Sequence, residues 1–303
     1  MLPLPLTSYE APDSVAEALR LSREPGAQII AGGTDLLPSM KHRIFTPRLL
    51  VSTRRLAPLR GIVASADGSL DIGASETLGV IARNPDVARR FPALAAACRT
   101  VATPTIQGMA TLGGNILLDT RCMYYNQPEG WRQSLGGCLK CIGDTCHVAP
   151  KGKGCYAAHS ADTAPALILA GASAVFHTEL GEEEVALSAL YQDDGMRWLA
   201  RSGVLVRVRI PALKNPIVHR KLRARGAIDY GMLLTAVSRS SQGWSAVISA
   251  VGPKPIRVSA PTPQSLAEAA FAAAQPLSTH LQPATWRKKM VRVEVGRAAA
   301  ELG

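Results

Sequence analysis

Long apolar runs are missing from this 303-residue chain. The longest largely apolar stretch, Ala164 to Phe176, has 13 residues, whereas a membrane-spanning helix needs about 20. The opening MLPLPLTSYE has no basic stretch ahead of an apolar core, so no secretory leader is expected. The expected location is therefore the cytoplasm, without membrane contact. Aromatics are scarce, at 5%. Acidic residues are scarce in the last third: residues 201–303 hold 16 Lys/Arg and 4 Asp/Glu, whereas residues 1–200 are nearly neutral. A basic third suits nucleic acid, an anionic cofactor or an acidic partner. Its tryptophans, Trp244 and Trp286, are far apart, and it shows no zinc-finger or RNA-binding motif, so nucleic acid is not the expected partner. G-x-G-x-x-G is absent. Gly108 and Gly113 have P-loop spacing, but no lysine follows.

What the chain does have is a normal apolar fraction, 47%, enough to bury a sizeable core, and a length that suggests two domains. The Pro211–Pro216 stretch is the expected boundary. Ser14 and Glu17 form a capping-box pattern ahead of a helix to Arg23. A short strand, Ala27–Ala31, then runs into Gly32-Gly33-Thr34-Asp35, a helical run Leu36–His42 and a strand Leu49–Ser52. This alternation reads as a small α/β unit. Further strands are expected at Leu70–Ala74, Ser173–Phe176, Val204–Ile210, Leu233–Val237 and Ser245–Val251. Helices are expected at Thr77–Ala82, Pro85–Ala97, Ala164–Ala170, Ser265–Ala274 and Thr285–Leu302.

Five of the six cysteines crowd into 34 residues: Cys122, Cys138, Cys141, Cys146 and Cys155. Cys98 stands apart on an apolar helical stretch and reads as core. Without an export signal, a disulfide framework is not expected. The segment is rich in Gly, Lys and Asp and poor in aliphatics, so a bound metal would supply its ordering energy. Zinc sites pair ligands as CxxC…CxxC, but here only Cys138 and Cys141 make such a pair. Uneven gaps with one distant cysteine fit iron–sulfur ligation better. Zinc and unbound thiols remain alternatives. His147 is either a further ligand or a hydrogen-bonding neighbour.

Two paired-glycine turns, Gly32-Gly33-Thr34 and Gly113-Gly114-Asn115, follow short apolar stretches. Glycine permits positive φ and lets N–H groups approach an anion unobstructed. Two such turns could clamp a diphosphate, or each could be an ordinary turn.

The ordered set IIAGGTDL, TLGGN, Ser160-Ala161-Asp162 before APALILAGA, then VLVRVRIP, KLRARGAIDY and AVGPKPIRV resembles the FAD-binding subunits of the molybdenum hydroxylases, the xanthine dehydrogenase family. The resemblance spans nearly the whole chain. It implies an α+β fold: a two-part FAD-binding domain of the vanillyl-alcohol-oxidase (PCMH) type over residues 1–212, and a smaller C-terminal α/β domain, an antiparallel sheet with helices, over 213–303. The cysteine segment is similar to the β subunit of 4-hydroxybenzoyl-CoA reductase within that family. That likeness implies an inserted loop, about residues 119–158, carrying a [4Fe–4S] cluster on Cys122, Cys138, Cys146 and Cys155, with Cys141 an extra thiol. The family's FAD contacts fall on Ile29, Ile30, Ala31, Gly32, Gly33, Thr34, Asp35 and Leu36, and on Thr111, Leu112, Gly113, Gly114 and Asn115. They also fall on Val101, Asp162, Leu205 and Lys221. From the residues alone, Asp162 could equally be a helix N-cap, Leu205 core and Lys221 solvated. The implied role is electron transfer by FAD and the cluster. The implied partners are a large molybdopterin-binding subunit, a small [2Fe–2S] subunit and a ferredoxin-like donor. No residue of this chain is assigned to substrate chemistry.

Overall fold

A computed structural model of the chain describes residues 2–191, 203–226, 228–278 and 281–303. It shows a mixed helix and sheet architecture with three sheets. The first is parallel, in the order β1-β3-β2: β1 (Ser8–Glu10), β2 (Ala27–Ile30) and β3 (Leu49–Ser52). The second is antiparallel, in the order β4-β5-β8-β6-β7: β4 (Ile62–Ala64), β5 (Leu70–Gly73), β6 (Ser173–Thr178), β7 (Gly181–Ala186) and β8 (Val204–Ile210). The third is antiparallel, in the order β12-β11-β10-β9: β9 (Ile217–Leu222), β10 (Leu233–Ser240), β11 (Gly243–Ser249) and β12 (Ile256–Ala260).

Local chemistry accounts for the first unit. Ser14 Oγ accepts from the Glu17 N–H at 3.2 Å, opening the helix Val15–Ser22. That helix packs its Ala18 and Leu19 face against Val51 of β3. Gly26 at φ +78° turns the chain into β2.

The second sheet holds the main core. Leu70, Ile72, Leu94, Ile116, Leu167 and Val208 are all essentially buried, and the same cluster runs on to Ile217, Ala236 and Val247 of the third sheet. Each such side chain contributes about 1.5–3 kcal/mol, so the second and third sheets share one packed interior. β8 alternates as its sequence suggests. Arg207 and Arg209 leave the core side and pair with Asp71, Glu182 and Glu184. The outer face of the third sheet is closed by the helices Pro263–Ala273 and Ala284–Ala300, around Leu266, Val291 and Val295. None of the described helices is long and apolar enough to cross a membrane.

The helix expected over Pro85–Ala97 is two helices, Pro85–Arg90 and Pro92–Arg99. Pro92 has no N–H to continue the first and begins the second at its N1 position. The second glycine pair lies inside a short helix, Leu112–Ile116, and not in an open turn.

Candidate cofactor cleft and cysteine loop

A cleft of about 780 Å³ opens between the β2–β3 unit, the Thr111–Asp119 segment, the start of β8, and β9 with the loop that follows it. Its size suits a large cofactor. The whole of Ile29 to Leu36 lines it, as do Val101, Thr111, Gly113, Gly114, Asn115, Asp162, Leu205 and Lys221. Leu112 does not; it is fully buried in the main core.

The Ile29–Leu36 wall presents backbone N–H groups to the cleft. β2 ends at Ile30, whose carbonyl accepts from the Thr53 N–H at 2.9 Å. Gly33 takes φ +68°, and the helix Leu36–Lys41 follows. Among the described residues, the N–H groups of Gly32, Gly33, Thr34 and Asp35 have no protein acceptor. They are left for a ligand, the property of an anion-binding nest. Gly32 itself is pressed onto the backbone beside the second glycine motif. A Cβ there would lie 1.9 Å from the Met109 carbonyl oxygen.

The second glycine motif does not work the way its sequence suggests. The Gly113 N–H donates to the Ala74 carbonyl at 2.8 Å, and the Gly114 N–H to Thr111 Oγ1 at 3.1 Å. Both donors are therefore occupied, and neither glycine has positive φ. What glycine supplies at 113 is close approach: a Cβ would sit 2.8 Å from the Ala74 oxygen. The pair of N–H cradles expected from the sequence is thus one cradle facing a tightly packed helical turn. Asn115 has a further task. Its Oδ1 accepts from the Thr163 N–H at 3.1 Å and from Thr163 Oγ1 at 2.7 Å, which fixes the segment carrying Asp162.

Asp162 and Lys221 form a buried ion pair, 2.5 Å from Oδ1 to Nζ, on the cleft wall. Burial pushes the Asp162 carboxyl up, and the Lys221 charge opposes that shift. Lys221 also donates to the Thr100 carbonyl at 3.0 Å, next to Val101, and Arg223 reaches the same oxygen at 3.3 Å. The helix Ala164–Leu169 has Thr163 at its N-cap, so Asp162 does not cap it. Lys221, held in β9, is not solvated. Leu205 is 5% exposed and belongs both to the core and to the cleft wall.

Asp119, Asp229 and Tyr230 on the cleft, and Arg121 beside it, were not evident from sequence. Asp35 forms an ion pair with Arg121, whose guanidinium lies 4.4 Å from the Tyr230 ring centroid. Asp119, Asp229 and Tyr230 also line the cleft. Asp229 holds its own loop by accepting from the Ala224 and Arg225 N–H groups. The signal for Tyr230 and Asp229 lay in the final DY of KLRARGAIDY.

The cysteine loop leaves and rejoins the fold at one point. Arg121 and Ala158 exchange backbone hydrogen bonds of 2.8 and 2.7 Å. Inside the loop, Cys138 and Cys141 close a tight turn through their backbones. The buried Arg132 ties the loop to the His42 and Arg43 carbonyls of the first unit. Cys122, Cys138, Cys146 and Cys155 line one small pocket, together with Lys140, His147 and Tyr125. Cys141 does not line it. All six cysteines are free thiols, and Cys98 is core, as expected. Burial pushes the Cys122 and Cys155 thiols up. His147 Nε2 lies 2.6 Å from the Gly137 carbonyl, and its ring stacks on Tyr124. Among the described residues, no three His, Cys, Asp or Glu side chains converge to hold a metal ion. That finding supports neither a zinc ion nor an iron–sulfur cluster on these cysteines.

Comparison with known proteins agrees with the cleft. Residues 5–213 match the family model described as the FAD binding domain in molybdopterin dehydrogenase. The chain is 32% identical over 267 residues to PaoB of Escherichia coli, the FAD-binding subunit of an aldehyde oxidoreductase, and 84% of each chain is covered. It is 29% identical over 226 residues to a xanthine dehydrogenase FAD-binding subunit from another strain of that species, covering 73% of this chain and 64% of the relative. In fold it is similar to a chain of carbon monoxide dehydrogenase from Hydrogenophaga pseudoflava, with a TM-score of 0.78 at 24% identity, over 99% of this chain and 98% of that one. The free N–H groups of the Gly32–Asp35 wall, the cleft's volume and the match over residues 5–213 agree: this chain belongs to the FAD-binding family of the molybdopterin dehydrogenases.

Proposed function

We propose that this chain is the flavin and iron–sulfur electron-transfer subunit of a hetero-oligomeric molybdenum enzyme. In this reading, Gly32 to Asp35 hold the FAD pyrophosphate through their N–H groups. Thr111, Gly113, Gly114 and Asn115 shape the opposite wall, and Val101, Leu205, Asp162 and Lys221 contact the rest of the cofactor. Cys122, Cys138, Cys146 and Cys155 hold a [4Fe–4S] cluster, with Cys141 outside the ligand set. Bound there, FAD exchanges one or two electrons and the cluster one. The partners in this reading are a large molybdopterin-binding subunit, a small [2Fe–2S] subunit and a ferredoxin-like donor.

The observation that carries this reading is adjacency. Four cysteines share one pocket, while Asp119, three residues before Cys122, lines the flavin cleft and Arg121 pairs with the cleft residue Asp35. The cysteine insert supports reductive dehydroxylation of 4-hydroxybenzoyl-CoA as the reaction of the assembled enzyme. Two electrons and two protons replace the phenolic hydroxyl with hydrogen and release water. The alternative is oxidation of an aldehyde or an N-heterocycle, and the 32% identity to an aldehyde oxidoreductase subunit over most of both chains favours the aldehyde. In either case substrate contacts lie in another subunit.

The test is to purify the chain with its partners and quantify FAD, iron and sulfide per chain. One FAD with four irons and four sulfides beyond the small subunit's share is expected. FAD without the extra iron and sulfide refutes the cluster. Turnover with 4-hydroxybenzoyl-CoA and reduced ferredoxin, against turnover with aldehydes, decides the substrate.

A further inference from the structure

We propose that Lys140 is a positioning residue that fastens the Cys138–Cys141 turn to the wall of the flavin cleft and favours the reduced state of the centre held by the four pocket cysteines, with Asp119 as its opposing charge. The inference rests on the functional reading above and adds to it a residue that tunes the centre without ligating it.

Lys140 lies between the two cysteines of the CxxC turn, yet its side chain is only 6% exposed. Nζ is held by Asp119 Oδ1 at 2.6 Å, Thr120 Oγ1 at 2.5 Å and the Thr120 carbonyl at 3.4 Å. The Tyr125 ring lies 4.7 Å from it. An ammonium has three protons to donate, so this site meets its needs in full. A lysine in a loop of low aliphatic content would normally extend into water. Here its stem and head are taken inward and used as a strut.

The strut lies between two sites. Lys140 lines the cysteine pocket, while Asp119 lines the flavin cleft. Asp119 Oδ1 also accepts from the Thr120 N–H at 2.7 Å, which fixes the acidic end.

The redox consequence follows from charge. Reducing a cluster by one electron adds one negative charge and no proton. A fixed cation beside it stabilises the reduced form, and a fixed anion destabilises it. These effects are strongest where water is excluded. Lys140 is on the pocket wall and Asp119 one step behind it, so the pair as a whole favours reduction. Removing either member unmasks the other. Lys140→Met therefore lowers the midpoint potential of the cluster, and Asp119→Asn raises it. The double variant returns towards wild type, and Lys140→Arg stays near it.

The experiment is an EPR-monitored redox titration of the purified complex, with iron and sulfide analysis on each variant. A purely structural role would cost iron without moving the two potentials in opposite directions. If Lys140→Met fails to retain iron, Asp119→Asn still carries the test, because it keeps the ammonium and removes its partner. Shifts of the same sign, or none, in iron-replete Lys140→Met and Asp119→Asn overturn this inference alone. Wild-type complex lacking the extra iron and sulfide overturns the cluster reading on which it rests.

Discussion

Gly32→Ala is the most direct test of the cleft. An alanine Cβ at this position would sit 1.9 Å from the Met109 carbonyl oxygen and 2.7 Å from its carbon, both backbone atoms. To reach ordinary van der Waals separation, the Gly32 and Met109 segments must part by about 1.5 Å. Overpacking of this kind costs about 1–3 kcal/mol of stability. It also displaces the free N–H groups of residues 32–35 relative to the opposite wall. Losing one hydrogen bond to a charged phosphate costs about 1.5–3 kcal/mol, or roughly tenfold to a hundredfold in affinity. Gly130→Ala is the control, since a Cβ there meets nothing within 4 Å. The assay is a flavin-fluorescence titration of apoprotein with FAD, alongside thermal unfolding. Gly32→Ala should weaken FAD binding at least tenfold and lower Tm, with Gly130→Ala unchanged in affinity. Unchanged FAD affinity in Gly32→Ala would refute the role given to this wall.

Breaking the buried Asp162–Lys221 pair by Lys221→Met should destabilise the fold by about 3–5 kcal/mol, and Asp162→Asn/Lys221→Met should recover part of that loss; chemical denaturation measures both. Burial lowers His159 to about 3 and His219 to about 4, below the usual 6.5. Both histidines therefore bind protons only on unfolding, so stability is complete above pH 6.5 and falls as pH drops towards 4. His219→Leu should reduce the slope of that profile between pH 6.5 and about 4, and parallel wild-type and variant curves of Tm against pH would contradict it. Cys146→Ser should lose iron while Cys141→Ser keeps it, by iron and sulfide analysis; the reverse would exchange their roles.

Features governed by local periodicity were readable from the sequence. Leu49–Ser52 and Val204–Ile210 occupy the residues their apolar patterns indicate. Features governed by a distant partner were not. β7 reads GEEEVA, a poor strand by propensity, and it is stabilised by Arg207 and Arg209 reaching its glutamates from β8. β9 carries Lys221 in a mixed apolar and basic run, and only its pairing with β10 turns that lysine inward to Asp162. The Gly32 cradle was legible because its free N–H groups follow from local geometry. The second glycine pair left both readings open because nothing nearby in sequence reveals the Ala74 carbonyl beneath it. The four-cysteine grouping came from the family resemblance, and spacing alone had left zinc open.

The two hydrogen bonds between Arg121 and Ala158 also bear on how such a subunit can be remodelled. Residues 122–157 depart and return through a doorway whose two sides are about 5.5 Å apart, as in a hydrogen-bonded strand pair. A chain joined directly across that doorway would need no rerouting elsewhere. The cysteine segment is therefore a detachable cassette. The same scaffold can lose this cysteine loop, or acquire one, while the cleft keeps its walls.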